Sequence, residues 1–116
     1  MHIEEYRDYC ISKKGVSESF PFDESTLVFK VGGKMFALAD ADSFEFINLK
    51  SDPERAIELR ETYNGVKPGY HMSKVHWNSV YTASYVPDQL ILELIDQSYD
   101  LIVASLTKKL RNELSL

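Results

Sequence analysis

The stretch TLVFKVGGKMFALAD, residues 26–40, limits what this chain can fold into more than any other. Two runs rich in β-branched and aromatic residues flank the pair Gly32-Gly33. A two-residue hairpin turn needs positive φ at its centre, a conformation that glycine adopts without a Cβ clash, so the pair predicts a tight antiparallel hairpin. Because it joins two strands and does not open onto a helix, the pair is unsuited to cradling a phosphate as a P-loop does.

Around this hairpin the chain reads helix, strands, helix, strands, helix. Residues 2–14 place Ile3, Tyr6 and Cys10 at helical spacing, with Gly15 as a C-terminal cap. The segment GVSESFPFD reads as a loop. FEFINLK reads as a third strand, with Phe44, Phe46 and Ile47 available to the core. SDPERAIELRETYNG carries a marked helix start, either Asp52 capping with Pro53 at the first helical position or Ser51 in a capping box with Glu54. Ala56, Leu59 and Tyr63 form its inner face, and Asn64-Gly65 ends it. A strand, a turn at Pro68-Gly69 and a second strand follow, with Val75, Trp77 and Val80 alternating. From Pro87 onward, apolar residues recur at steps of three and four, with a break expected near Gln97 or Thr107 and Lys108, Lys109 and Arg111 near the end. Hairpin connections without regular βαβ alternation predict an α+β domain, residues 1–116, with an antiparallel sheet packed against helices.

With 116 residues, 44% hydrophobic and 27% charged, the chain has the composition of one soluble domain with its own core. Cys10 is the single cysteine, and no signal-peptide core or long apolar run is apparent, so the expectation is a cytoplasmic protein without membrane association. The net charge of −5 argues against a protein that coats nucleic acid or anionic membrane with a general basic excess. The charge is uneven, however. Residues 64–82 crowd Lys67, Lys74, His71, His76, Trp77, Tyr70 and Tyr81 together, and no Asp or Glu lies between Glu61 and Asp88. A half-buried hairpin with little room for carboxylates, or a local basic strip on an acidic body, would each produce that pattern.

Motif chemistry narrows the choice. His71 and His76 lie five positions apart, a spacing that on a strand or turn points two side chains in different directions, and Cys10 is far away in sequence. No zinc-type ligand set is present, and no metal or cofactor is expected. Cys10 lies on the apolar face of the first helix, where a free cysteine packs as a small hydrophobe. No set of residues meets the requirements for a catalytic assignment, and the chain is not expected to be an enzyme.

The segments YCISKKGVSESFPFDESTLVFKVGGKMFAL, LKSDPERAIELRETYNGVKPGYHMSKVHWNSV and LIDQSYDLIVASL resemble the MmcQ/YjbR family of small bacterial proteins over roughly Tyr9 to Leu110. The resemblance implies a fold similar to that of the bacterial frataxin homologue and to a double-wing DNA-binding domain of a phage transcription activator, and with it a DNA-binding role by fold analogy. The family's marked positions fall on Pro68, Gly69, Tyr70, His71, Met72, Lys74, His76, Trp77 and Asn78. Ser73 replaces an expected Asn, and Val75 replaces an expected Lys, which removes a positive charge from the strip. The frataxin comparison lacks its acidic ridge, because Glu4, Glu5 and Asp8 are interleaved with Arg7 and followed by Lys13 and Lys14. Iron handling is therefore not expected.

Two functional expectations remain. In the first, the 65–82 hairpin makes weak electrostatic contact with DNA through Lys67, Tyr70, His71, Lys74, His76, Trp77 and Asn78, with lysines and histidines on phosphates and Tyr70 or Trp77 stacking on bases. In the second, Tyr70, His71, Trp77 and Asn78 line a pocket between hairpin and helix that takes a small molecule, or a sheet edge pairs with a protein partner. Trp77 has a third available role, anchoring the sheet against the helices. The expected state is a monomer or a weak dimer.

Overall fold

The computed structural model describes residues 1–83 and 85–116. The elements run α1 (Ile3–Ile11), β1 (Val16–Ser19), β2 (Thr26–Val31), β3 (Lys34–Asp40), β4 (Phe46–Lys50), α2 (Pro53–Thr62), β5 (Val66–Pro68), β6 (Trp77–Tyr81), α3 (Asp88–Ser105) and α4 (Lys108–Leu114). The strands form one antiparallel sheet in the order β1-β2-β3-β4-β6-β5, so the chain is α+β.

The Gly32-Gly33 turn takes φ of 60° and 80°, the pair of positive values that the hairpin requires. A Cβ on Gly32 would also lie 2.7 Å from the Leu106 side chain, so the turn is packed from outside by the end of α3. Beyond the turn the hairpin contains a bulge. Phe29 pairs with Ala37 and Lys30 with Met35, leaving Phe36 as the extra residue. The bulge allows Phe36 to reach the same side as Ala37, where its ring meets Tyr99 of α3 edge-on at 5.4 Å.

Strand registers divide the sheet into two faces. The row Glu18, Phe29, Ala37, Leu49, Asn78 and Pro68 crosses all six strands on the helix side. The opposite row is Ser19, Val28, Leu38, Asn48, Ser79 and Lys67. Helix α3 lies across β2, β3 and β4, burying Ile91, Leu94, Ile95 and Ile102. Its buried Ser98 is a polar docking point: Oγ donates to Phe36 O at 2.6 Å and accepts from Lys50 N at 2.9 Å. Helix α1 adds Tyr6 and Cys10 to the core, and Arg7 pairs with Glu18 on β1. Helix α2 starts at Asp52, whose carboxylate accepts from Glu54 N at 3.0 Å, with Pro53 in the first turn.

Four expectations are corrected here. The loop GVSESFPFD contains β1, a short polar edge strand with no hydrophobic alternation to announce it. Phe46 is not a core residue but faces away from the helices, paired with Tyr81, while Phe44 precedes the strand at a φ of 44° and is only partly buried. Helix α1 ends at Ile11, short of residue 14. Val75, Trp77 and Val80 do not share an inward side: Val75 is exposed in a loop between β5 and β6, and Trp77 and Val80 lie on opposite faces of β6. The long C-terminal helical region breaks at Thr107, whose hydroxyl accepts from Leu110 N to cap α4.

Candidate binding groove and flap

Residues 69–76, between β5 and β6, fold back over the sheet face that the helices leave open. We call this segment the flap. A closed set of hydrogen bonds ties it to the sheet: Tyr70 N donates to Ser79 Oγ at 2.9 Å, Ser79 Oγ donates to Asn48 Oδ1, and Asn48 Nδ2 donates to Tyr70 O at 3.1 Å. Asn48 and Ser79 are buried polar residues in the middle of a sheet face, and these bonds are the reason they can be.

The far end of the flap is held from the helix side. Arg60 of α2 donates through Nε to Asn78 Oδ1 at 2.6 Å and through Nη2 to the carbonyls of Lys74 and Trp77. Asn78 Nδ2 in turn donates to Ala56 O at 3.2 Å. Ser51 N donates to His76 O at 2.8 Å, closing the flap against the start of α2. Inside the flap, Gly69 N donates to Trp77 O at 2.8 Å and the Lys74 ammonium donates to Gly69 O. Gly69 is required by close approach, since a Cβ there would sit 2.8 Å from Trp77 Cβ and 2.9 Å from Trp77 O.

Between the flap and the sheet lies a groove of about 590 Å³. Its floor is Leu38, Met35 and Asn48, its wall on the flap side is Tyr70, His71 and Met72, and its far wall is Phe22 with Asp23, Thr26 and Asp40. In extended backbone, three successive side chains cannot share one side. His71 adopts a left-handed conformation, φ 58°, and that turn accompanies the placement of Tyr70, His71 and Met72 on the same groove. The Tyr70 ring meets Phe46 edge-on at 5.8 Å, and Phe46 meets Tyr81 at 5.2 Å, forming an aromatic wall. Phe22 and Tyr70, on opposite walls of the groove, are 63% and 56% exposed.

The two carboxylates of the groove are held in turns. Asp23 accepts from the backbone N–H of Thr26 and of Ser25, and Asp40 from those of Ser43 and Asp42. These bonds favour the ionised form and lower both carboxyl pKa values. A single hydroxyl, Ser25 Oγ, touches both, at 3.5 Å from Asp23 Oδ1 and 3.1 Å from Asp40 Oδ2.

The sequence-predicted site residues therefore separate. Tyr70 and His71 meet at the groove, with ring centroids 4.1 Å apart. Lys67 and His76 are exposed outside it, on β5 and on the flap. Lys74 is exposed, but its ammonium is engaged by Gly69 O. Trp77 is half-buried and lies across from Lys50, away from the groove lining. Asn78, by contrast, is 1% exposed with both ends of its amide bonded to α2, so it holds the fold and is not presented at the surface. The expected pocket between hairpin and helix is corrected, because the groove lies on the opposite side of the sheet. Sequence reasoning missed Phe22, Asp23, Asp40 and Asn48, which come from three separate strands or loops, and Arg60, whose reach from α2 has no signature in the helix pattern. Cys10 is fully buried, and burial pushes its thiol pKa far above the ordinary value, which disfavours the thiolate. Among the described residues, no three His, Cys, Asp or Glu side chains gather as metal ligands, and no helix is long and apolar enough to cross a membrane.

Comparison with known proteins places this architecture. The YjbR family model matches residues 11–101. The chain is 43% identical over 91 residues to the uncharacterized protein YbdF of Escherichia coli O157:H7, covering 78% of this chain and 75% of that one. It is 34% identical over 112 residues to the uncharacterized protein YjbR of Escherichia coli K12, covering 96% and 95%. Among solved structures it is similar to the Deinococcus radiodurans protein DR2400, a DUF419 domain, with a TM-score of 0.92 at 40% identity over 99% of this chain and 88% of that one. A Pseudomonas syringae protein matches at TM-score 0.74 and 27% identity over 88% and 99%. The chain belongs to the YjbR family.

Proposed function

We propose that this chain is a non-enzymatic binding module that takes a small molecule with an apolar or aromatic body in the groove beneath the flap. The observation that carries this reading is the groove itself. An antiparallel sheet face not covered by helices ordinarily turns polar residues to water, whereas this one turns Met35, Leu38 and Phe46 outward and encloses them with Phe22, Tyr70 and Met72. Its volume falls in the range of small-molecule sites, which are mostly apolar with a few fixed polar groups. A thermal-shift screen of metabolites tests it. Hits should raise the melting temperature with little dependence on salt, and the rise should vanish in Tyr70→Ala. A broad collection that produces no such hit would remove the reading.

Contact with DNA is the second reading, favoured by the exposure of Lys67 on β5 and of His71 and His76 on a flap free of carboxylates. With Lys74 engaged internally, few ionic contacts remain, and the logarithmic salt slope would be shallow, on the order of −2. An NMR titration with a short duplex at low salt distinguishes the two. Amide shifts at Lys67 and His76 that Lys67→Glu abolishes would favour DNA, and silence there would exclude it.

A further inference from the structure

The groove pairs aromatic rings with two carboxylates. Phe22, Phe46 and Tyr70 stand on its walls, and Asp23 and Asp40 lie together at one end, bridged by Ser25 Oγ. Among the described residues no Lys or Arg lines the groove, and His71 is the one basic side chain there. Among the described residues neither carboxylate forms an ion pair. Each carboxylate is held ionised by backbone N–H bonds within its own turn, and the ring faces around the groove carry negative potential that adds to the field of the pair. An organic cation is the ligand chemistry complementary to both: its charge would be offset by the carboxylate pair and its alkyl or aryl surface would be buried against the rings.

We infer that the groove selects small organic cations, an amine or quaternary ammonium attached to an apolar or aromatic body, with the ammonium beside Asp23 and Asp40 and the body against Phe46, Tyr70 and Leu38. This inference rests on the small-molecule reading and narrows it to one charge class. It also accounts for the position of the carboxylates: on a groove meant for phosphate or for a fatty acid, the pair would repel the ligand.

The test is a pair of ¹⁵N–¹H NMR titrations on the wild-type chain, with 2-phenylethylammonium and with 2-phenylethanol, which share a ring and differ in the charged group. The expected result is that the ammonium binds about tenfold more tightly than the alcohol, with the largest shifts at Thr26, Asp40, Tyr70 and Met72. The double variant Asp23→Asn, Asp40→Asn retains an acceptor oxygen at each turn, and in it the preference should collapse to near unity while alcohol binding stays. Equal affinities for the two compounds in the wild type would overturn the charge assignment and leave the groove as a binding site. Shifts from neither compound would overturn both. A cation preference that persists in a folded double variant would locate the charge recognition elsewhere and overturn the inference. Should the double variant fail to fold, the two wild-type titrations decide the question by themselves.

Discussion

Arg60 and Asn78 join α2 to β6: Arg60 Nε donates to Asn78 Oδ1 at 2.6 Å, while its second branch holds the carbonyls of Lys74 and Trp77. One guanidinium from α2 thereby fixes β6 and the end of the flap together. The flap has few apolar anchors of its own beyond Met72 and Tyr70, so this polar clamp sets its position.

Replacing Arg60 by Ala is expected to destabilise the chain by about 2 kcal/mol, because it removes charge-assisted bonds and leaves the buried Asn78 Oδ1 without a partner. Urea unfolding measures the change. Trp77 is the single tryptophan and sits at the end of the flap, so its fluorescence reports the same event locally. A red shift of emission in the folded variant is expected. Unchanged emission would mean that the remaining bonds, those of Asn48 and Ser79 to Tyr70 and of Ser51 to His76, hold the flap without Arg60.

Tyr6 offers a prediction of opposite sign. Its ring packs edge-on against Phe29 at 5.4 Å and beside Phe44, yet its buried hydroxyl has no hydrogen-bond partner among the described residues. A buried hydroxyl without a partner carries its full desolvation cost. Tyr6→Phe keeps the ring contacts, removes the orphan oxygen, and is expected to stabilise the fold by about 1 kcal/mol. A loss of stability in equilibrium unfolding would show that the hydroxyl is hydrated in place.

Alkaline stability should depend on Tyr9. Its hydroxyl donates to Asp96 at 2.7 Å, and this bond, with burial second, pushes its pKa up to about 12. The folded chain therefore retains a proton that the unfolded chain releases near pH 10. Between those two values the unfolded state binds fewer protons, so the contribution of Tyr9 is complete below about pH 10 and is lost as pH rises toward about 12. Tyr9→Phe should flatten stability against pH in that window. Asp23 and Asp40 act at the other end: their lowered carboxyl pKa values contribute stability above the ordinary carboxylate range, and it is lost as acid protonates them. Unfolding free energies measured across both limbs in wild type, Tyr9→Phe and Asp40→Asn separate the two effects.

Local signals in the sequence revealed the hairpin, α2 and the α+β class, because each depends on residues adjacent in the chain: a glycine pair, an Asp-Pro start, a helical period. The crowded stretch 64–82 was visible for the same reason, but its division into structural and surface roles was not. Asn78 and His76 are two positions apart, yet one is buried against α2 and the other is exposed. Alternation fails there because the flap leaves the strand pattern after Pro68. The groove itself was illegible, since Phe22, Asp40, Asn48 and Tyr70 meet only through strand order, which nothing in a single sequence encodes locally. Strand β1 escaped because VSES has the composition of a loop and becomes a strand by pairing with β2.

Gly69 supplies the sharpest test of flap position. Its backbone lies against β6 so closely that a Cβ would meet Trp77 Cβ at 2.8 Å, Trp77 O at 2.9 Å and Met72 Cβ at 3.1 Å. Because part of that contact is with backbone, rotamer changes cannot relieve it, and Gly69→Ala is expected to cost about 1–3 kcal/mol by forcing the flap outward. Gly33 makes a useful contrast: a Cβ there meets nothing within 4 Å, and the obstacle is only its φ of 80°. Asparagine tolerates such a left-handed conformation far better than alanine does. Gly33→Asn should therefore leave stability nearly unchanged, whereas Gly69→Asn should be as harmful as Gly69→Ala. Because lifting the flap also carries Tyr70 away from Phe46, any ligand that shifts Tyr70 and Met72 amides in the wild type should bind more weakly to Gly69→Ala and equally well to Gly33→Asn. Equal binding to all three chains would show that the groove functions without the flap.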